Sequence, residues 1–184
     1  MANLNYVNES ISDDCQSIDS DSDSQYLTFG LGNDIYGLNV NNIKEIIEID
    51  KIFKIPRTPE YIRGVINLRG EVVPVIDLSS RFYGYCSEIS ILSNIVIIEK
   101  KYKNNLILIS MIIDKVEAVI DIKKKNIEPI PEFGLKIRTD FISKVANVNE
   151  NFIILLNIDN VLNIEELSKL RIIHDLGNSV PDNS

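Results

Sequence analysis

The most constraining feature of the sequence is an apolar hairpin pattern, IRGVINLRGEVVPVIDL, which runs from Ile62 to Leu78. β-Branched and other aliphatic residues favour strands, and the Arg69-Gly70 pair stands where a two-residue turn would reverse the chain. Both faces of the VVPVI segment are apolar, so we expect this strand to be buried on both sides. Pro74 donates no backbone hydrogen bond, which predicts an edge or a bulge at its position.

Three further hairpin patterns accompany it, which are QYLTFGL-GND-IYGLNV, NIVIIEK-KYKNN-LILISMIID and FISKVANV-NEN-FIILLNI. KVEAVIDI adds another strand, whereas helical patterns are few. LSSRFYG predicts one turn closed by Gly84, and NVNNIKEII predicts one or two turns. NIEELSKLRIIHDLG predicts a helix that Asn163 caps and Gly177 ends. Many short strands separated by tight turns predict a mainly β protein, built as a sandwich or as barrels.

The domain organisation follows from where the apolar patterns begin and end. Residues 1–24 are rich in serine and aspartate and poor in apolar residues, which predicts a disordered acidic tail, and residues 176–184 are expected to fray. Residues 25–175 are then the folded domain, with two β-barrel subdomains at roughly 25–84 and 93–160 and a C-terminal helix. Each half is small for an independent core, so the two are expected to bury apolar surface against each other. Strands that cross between the halves are not excluded.

Composition narrows the class of function. A net charge of −8 and a pI near 4.7 argue against recognition of DNA or RNA through a basic surface. The basic run Lys123 to Lys125 is interpreted either as a solvated turn or as an anion-binding site. No apolar segment reaches the roughly 20 residues of a membrane-spanning helix, and the N-terminus lacks a signal-peptide pattern. Cys15 and Cys86 have no metal-ligand spacing. These features predict a cytoplasmic protein without a metal or a cofactor.

No catalytic constellation is visible. His174, the one histidine, lies near the end of the last predicted helix, where a positive imidazole would favour the helix dipole. The nucleophile-elbow and phosphate-loop motifs are absent. Carboxylate pairs such as Asp114 with Glu117 have no histidine or apolar pocket that the sequence assigns to them. We therefore expect no catalytic residue and a function based on contacts.

Arg69 is the residue of the hairpin that an apolar core does not need. Gly70 is expected to take the positive φ of the turn, which leaves the Arg69 side chain pointing outward. One interpretation is a solvated turn charge. The other is a partner anchor, because a guanidinium forms paired hydrogen bonds and stacks well at interfaces.

The segment YIRGVINLRGEVVPVIDLSSRF, preceded by YGLNVNNIKEIIEI and IPRTPEYI, resembles the CheW family of bacterial chemotaxis coupling proteins. The resemblance continues through IDKVEAVIDI, IEPIPEFG and FIILLNIDNVL and covers roughly residues 25–170. It implies two five-stranded SH3-like barrels packed together. It also implies a non-catalytic adapter that joins the regulatory domain of a CheA-type histidine kinase to the cytoplasmic tips of methyl-accepting chemoreceptors. Other CheW-like adapters in the same array are further implied partners.

The resemblance also implies partner-binding residues on the first barrel. The arginine of the NLRG motif is Arg69 and the glutamate of the KEI segment is Glu45, with Asn67, Gly64 and Ile43 in the same surface region. Receptor helices are expected to lie in a groove between the barrels. The implied location is the cytoplasm, with recruitment to membrane-associated receptor arrays.

Two other functions remain as alternatives at this point. The first is an adapter for a kinase system outside chemotaxis. The second is a small-molecule enzyme or binder that uses the groove between the barrels, for which Arg69 and Asp77 would be the residues to test.

Overall fold

Two sheets account for most of the described chain. The computed structural model describes residues 24–169, without residues 103, 132–133 and 135–136. In the first sheet the strand order is β8-β1-β2-β11-β10-β9, and in the second it is β3-β6-β7-β5-β4. The strands are β1 (Ser24–Leu31), β2 (Asp34–Asn39), β3 (Ile43–Glu48), β4 (Ile62–Leu68), β5 (Glu71–Asp77), β6 (Asn94–Tyr102), β7 (Asn105–Ile113), β8 (Lys115–Ile122), β9 (Ile127–Glu128), β10 (Ile142–Val148) and β11 (Asn151–Leu156).

Helical segments are short within the described ranges. The α-helices are α1 (Leu78–Tyr83), α2 (Ile158–Val161) and α3 (Ile164–Lys169), and the 3-10 turns are Val40–Asn42, Lys124–Asn126 and Thr139–Phe141. Gly84 ends α1 at φ 79°, as the sequence predicts. The segment NVNNIKEII forms one 3-10 turn and then strand β3. The predicted continuation of the last helix to Gly177, the acidic tail before residue 24 and the end at 176–184 lie outside the described residues.

Each sheet contains strands from both halves of the sequence. The first and fourth hairpins share the first sheet through a parallel β2–β11 pairing, in which Ile35 lies opposite Ile153. The second and third hairpins share the second sheet through a parallel β5–β7 pairing, in which Val75 lies opposite Ser110. The subdomain boundaries at 25–84 and 93–160 therefore do not coincide with the sheets. Turns fix each hairpin locally, whereas pairing between hairpins depends on contacts distant in sequence.

A large apolar core joins the two sheets. Phe29 and Tyr36 from the first sheet and Val96 and Met111 from the second are fully buried in one cluster. Each sheet also encloses a smaller interior of its own, with Ile66, Val73, Val75, Ile95, Ile97, Leu108 and Ile112 in the second and Ile122, Ala146, Ile153 and Leu155 in the first. The mainly β architecture of two packed, barrel-like units is thus confirmed. The first sheet has a sixth strand, the two-residue β9.

Strand β5 is buried on both faces, as its sequence predicts. Val75 lies in the interior of the second sheet, and Ile76 lies in the core that the two sheets share. Pro74 is not at an edge, because β5 runs between β7 and β4. Val65, which lies opposite Pro74, exchanges its backbone hydrogen bonds with Phe53 at 2.8 and 2.9 Å. The Val65–Pro74 pair is therefore not hydrogen-bonded, and the missing N–H of proline costs no bond to β4.

Helix α3 is attached to the body by a partly buried ion pair. Asn163 Oδ1 accepts a hydrogen bond from the Glu166 N–H at 3.1 Å, which confirms the predicted cap. The Glu166 carboxylate accepts from the Arg81 guanidinium at 2.8 and 3.3 Å. That guanidinium lies 4.3 Å from the centre of the Tyr61 ring. The hydrogen bond from Arg81 lowers the pKa of Glu166, so the pair is charged at neutral pH.

Asp77 connects β5, α1 and the loop that follows α1. Its side chain is fully buried and accepts hydrogen bonds from Ser80 N at 3.1 Å, Ser87 N at 2.9 Å and Ser87 Oγ at 2.8 Å. Arg63 Nη1 donates to the same carboxylate at 3.0 Å and carries the opposite charge. A buried carboxylate with this set of donors is satisfied and holds the loop in place.

We expect Asp77→Ala to lower the free energy of unfolding by about 3 kcal/mol, because it leaves Arg63 and the Ser87 N–H without their acceptor. Urea unfolding measures the loss, and hydrogen exchange at the Ser87 amide reports release of the loop. The control is Asp121→Ala on exposed strand β8, which should change stability by at most about 0.5 kcal/mol. Equal stability of the two variants would contradict the assignment of Asp77.

Gly64 permits a close approach of two backbone segments. Its φ is 143°, and a Cβ added there would lie 2.2 Å from the carbonyl oxygen of Phe53. Phe53 must stay at this distance because its backbone is bonded to Val65 on β4. Any side chain at position 64 would therefore break the contact between β4 and the segment after β3.

We expect Gly64→Ala to destabilise the fold by about 3 kcal/mol, since the clash is with backbone that has no room to move. Thermal or urea unfolding provides the measurement. Gly84→Ala is the matched control, because Gly84 also has a positive φ but an added Cβ meets nothing within 4 Å. It should cost about 1 kcal/mol. A Gly64 variant no less stable than the Gly84 variant would refute the close approach.

Candidate partner-binding site

Glu45 and Arg69 form a two-point ion pair on the surface of the second sheet. Arg69 Nη1 donates to Glu45 Oε1 and Arg69 Nη2 donates to Glu45 Oε2, both at 2.8 Å. The Arg69 side chain is 73% exposed, whereas the Glu45 side chain is 22% exposed. Paired hydrogen bonds of this kind fix the plane of the guanidinium as well as its position. The arginine is thus held in one orientation while most of its surface faces solvent.

This pair joins the two ends of the second sheet. Glu45 lies on β3, at one end of the strand order, and Arg69 follows β4, at the other end. A backbone bridge between Phe53 and Val65 also connects the chain after β3 to β4. The sheet therefore curls until its two edge strands approach each other. We call Glu45, Asn67, Arg69 and Gly70 the seam corner, because they lie where this sheet closes.

The turn at the seam corner is more constrained than the sequence predicts. Gly70 has a φ of 91°, as expected, but Arg69 also has a positive φ, at 53°. Two successive residues with positive φ match the twist of a two-residue hairpin. Asn67 Oδ1 accepts a hydrogen bond from the Gly70 N–H at 2.8 Å and stabilises the turn. A left-handed conformation costs a non-glycine residue about 1 kcal/mol, so Arg69 occupies this position at the expense of stability.

Electrostatics keep the seam corner charged. The hydrogen bond from Arg69 lowers the pKa of Glu45, and the same bond raises the pKa of Arg69. A carboxylate with a lowered pKa contributes its interaction above the ordinary pKa and loses it only as the pH falls through the lowered value. The pair is therefore intact at neutral and mildly acidic pH. A second ion pair, Lys44 with Glu99 at 2.5 Å, lies beside it.

The structure separates the five predicted partner-binding residues into two groups. Glu45, Asn67 and Arg69 meet at the seam corner. Gly64 is buried and permits the Phe53 contact, and Ile43 is half-buried against the core between the sheets. A partner-binding role for Gly64 or Ile43 stays a prediction, since each position has a structural role.

Two exposed apolar residues near the seam corner were missed by the sequence analysis. Val72 lies opposite Asn67 in the β4–β5 ladder, on the same face, and is 40% exposed. Ile46 is 38% exposed on the face of β3 opposite to that of Glu45, because successive strand residues point to opposite faces. The alternation of IKEIIE, with Lys44, Ile46 and Glu48 exposed, was the available signal for Ile46. Apolar surface beside a fixed arginine is the composition that protein interfaces favour.

A polar groove of about 550 Å³ lies along the first sheet and is lined by residues of β1, β2, β10, β11 and the adjoining turns, which are Tyr26, Asn39, Asn41, Asn42, Ser143, Leu155, Leu156, Asn157, Ile158 and Asp159. Asp159 is ion-paired there with Lys100 of β6, whose pKa is lowered by burial. Asp77 is occupied by its own donors. Among the described residues no three His, Cys, Asp or Glu side chains form a group that could hold a metal ion. No helix in the described ranges is long and apolar enough to cross a membrane.

Comparison with known proteins agrees with this architecture. The model of the CheW-like domain family matches residues 25–166. Chemotaxis protein CheW of Klebsiella aerogenes is 32% identical over 144 residues, which cover 78% of this chain and 84% of that protein. The protein of the same name from Bacillus subtilis is 32% identical over 140 residues, which cover 76% of this chain and 86% of the relative.

A solved structure matches as well. The scaffolding protein TtCheW from Thermoanaerobacter tengcongensis is 35% identical, with a TM-score of 0.66 and coverage of 74% of this chain and 86% of that one. The family model spans more than half of the sequence and includes both sheets and the start of α3. The chain therefore belongs to the CheW-like domain family.

Proposed function

We propose that this protein is a non-catalytic adapter that couples chemoreceptors to a CheA-type histidine kinase in a bacterial chemotaxis array. Family membership supports this function, as do relatives named chemotaxis proteins and a structural relative named a scaffolding protein. The single observation that carries the proposal in this chain is the exposed, two-point-bonded guanidinium of Arg69. It is a rigid contact group without catalytic partners.

The seam corner suits the regulatory domain of the kinase. Arg69 is already ordered by Glu45 and by its turn, so a partner pays little conformational entropy to bind it. Its exposed edge still has donors for a carboxylate or a backbone carbonyl. Val72, opposite Asn67, supplies exposed apolar surface at the seam corner that a partner can cover. An arginine flanked by apolar contacts is a frequent centre of binding energy in interfaces.

The receptor would bind elsewhere on the body. Cytoplasmic receptor helices are proposed to lie in the groove between the two sheets, the helix-in-groove mode. The shared core makes the two sheets one packed unit, so a receptor helix and a kinase domain would be held at a set separation. Single contacts of micromolar strength, about −8 kcal/mol, would gain stability from the many linked contacts of an array. Other CheW-like adapters would share this array, in the cytoplasm beside the membrane.

We expect Arg69→Glu to weaken binding of the kinase regulatory domain at least about tenfold while leaving the free energy of unfolding within about 1 kcal/mol. Arg69→Gly should also lose binding, yet its stability should stay within about 1 kcal/mol of that of the original chain, because relief of the positive-φ strain offsets the loss of the exposed ion pair. Calorimetric titration and urea unfolding provide the two readouts. A combined loss of binding and stability in the glycine variant would restore a purely structural role.

The matched control is Arg138→Glu. Arg138 is 71% exposed and also forms a two-point pair, with Asp140, at 3.1 and 2.5 Å, but it precedes the first sheet's β10. The Arg138→Glu variant should bind the kinase domain as tightly as the original chain does.

A double variant tests whether Arg69 itself makes the contact. Glu45→Arg combined with Arg69→Glu keeps an ion pair but moves the cation to β3. Direct contact through Arg69 predicts that the exchange does not rescue binding, so full rescue would count against it.

A strain that lacks the gene tests the choice of pathway. Without the adapter the kinase receives no receptor input, so cells should swim but fail to change direction in an attractant gradient. Tracking of swimming cells gives the measurement, and a plasmid copy of the original gene is the control. Normal reorientation of the deletion strain would assign the adapter to a kinase system other than chemotaxis.

A further inference from the structure

A basic turn on the first sheet has no partner among the described residues. Lys123, Lys124 and Lys125 follow β8 directly, and all three are exposed. None of the ion pairs of the described chain includes them. Asp121 and Glu128 flank the run in sequence but form no ion pair with it. Three adjacent ammonium groups thus repel one another without compensation from the folded body.

The opposite charge is concentrated at one end of the same chain. Residues 1–23 contain six of the 27 acidic residues and none of the 19 basic ones, so they account for −6 of the net charge of −8. The acidic positions are Glu9, Asp13, Asp14, Asp19, Asp21 and Asp23. The rest of the protein is close to neutral, which makes the N-terminal segment its main anionic element.

Strand pairing places the residue where the acidic segment joins the fold next to the start of the lysine turn. β1 begins at Ser24, which lies opposite Ile122 in the antiparallel ladder with β8, and Gln25 lies opposite Asp121. Lys123 follows Ile122 directly. The acidic segment is therefore covalently attached beside the lysine turn, and opposite charges held close together attract.

We propose that the Lys123–Lys125 turn is a docking site for the acidic segment Asp19–Asp23 of the same chain. The covalent connection at Ser24 keeps the segment at a high effective concentration, so contacts that are weak singly can act together. An external polyanion, such as a nucleic acid, would have to approach against the net charge of −8 and displace the tethered acids. The docking site lies on the first sheet, whereas the seam corner lies on the second. It is therefore independent of the proposed kinase contact.

The two cysteines allow a direct test in the chain of 184 residues. Cys86→Ser leaves Cys15 in the acidic segment as the one thiol, and a nitroxide attached there broadens amide signals of nearby residues. The tether alone holds the label at roughly 17 Å from Ser24, so some broadening at 122–126 is expected without docking. Docking is therefore tested by how the broadening at 122–126 depends on charge. Docking predicts stronger broadening of the 122–126 amides at low salt than in a chain with neutralised acids.

Salt and charge variants decide the outcome. Raising the ionic strength from about 0.01 M to about 1 M shortens the screening length from about 30 Å to about 3 Å, and should reduce the broadening at 122–126 at least twofold. The variant with Lys123, Lys124 and Lys125 all changed to Glu should show, already at low salt, the weaker broadening that the original chain shows at high salt. The variant with Asp19, Asp21 and Asp23 changed to Asn should also show the reduced broadening at low salt.

The control reverses the same number of charges elsewhere. Lys51, Lys54 and Arg57 are exposed on the segment after β3, and changing all three to Glu should leave the 122–126 broadening unchanged. Broadening that ignores salt, or that the lysine and aspartate variants retain, overturns the proposal. The proposal is also overturned if the lysine variant changes kinase or receptor binding but leaves the 122–126 broadening unchanged. That result would assign the turn to an external partner. Kinase binding that depends on Arg69 is unaffected by either result.

Discussion

Burial of apolar surface between the two sheets is the constraint on which the rest of this structure depends. Strand β5 takes part on both sides, with Val75 facing the interior of the second sheet and Ile76 facing the shared core. Side chains fully buried on both faces stabilise a strand only if a second layer covers it. The parallel pairings β2–β11 and β5–β7 supply that arrangement by joining early and late hairpins. One packed unit results, in which the buried carboxylate of Asp77 is fully hydrogen-bonded.

The seam corner follows from this closure. Because the second sheet curls until β3 approaches the β4–β5 turn, Glu45 reaches Arg69 across its edge. Arg69 then combines three properties that rarely coincide, which are exposure, a fixed guanidinium plane and a left-handed backbone. Glycine would adopt this φ without strain. We propose that the arginine at this position acts on a partner outside the chain.

Charged residues are unevenly distributed along the chain. Ion pairs such as Glu45 with Arg69 and Arg81 with Glu166 neutralise seven cations of the described body locally, while the lysine turn takes part in none of these pairs. The acidic N-terminal segment carries most of the net negative charge of the chain. A tethered pairing between this segment and the lysine turn would leave the second sheet free for partners. The adapter would then present a contact surface whose charge its own tail does not disturb.

Much of the fold and part of the candidate partner-binding site could be predicted from the amino-acid sequence. Hairpins, the α1 turn ended by Gly84 and the β character of the chain depend on neighbouring residues, so turn chemistry and alternation predict them. Outward placement of Arg69 is local in the same sense. Sheet membership, the Glu45 contact, the buried hydrogen bonds of Asp77 and the close approach at Gly64 are not local. These join segments far apart in sequence, and only the packing of the folded chain, through shared burial and backbone distance, selects them from the many pairings that the residue pattern alone allows.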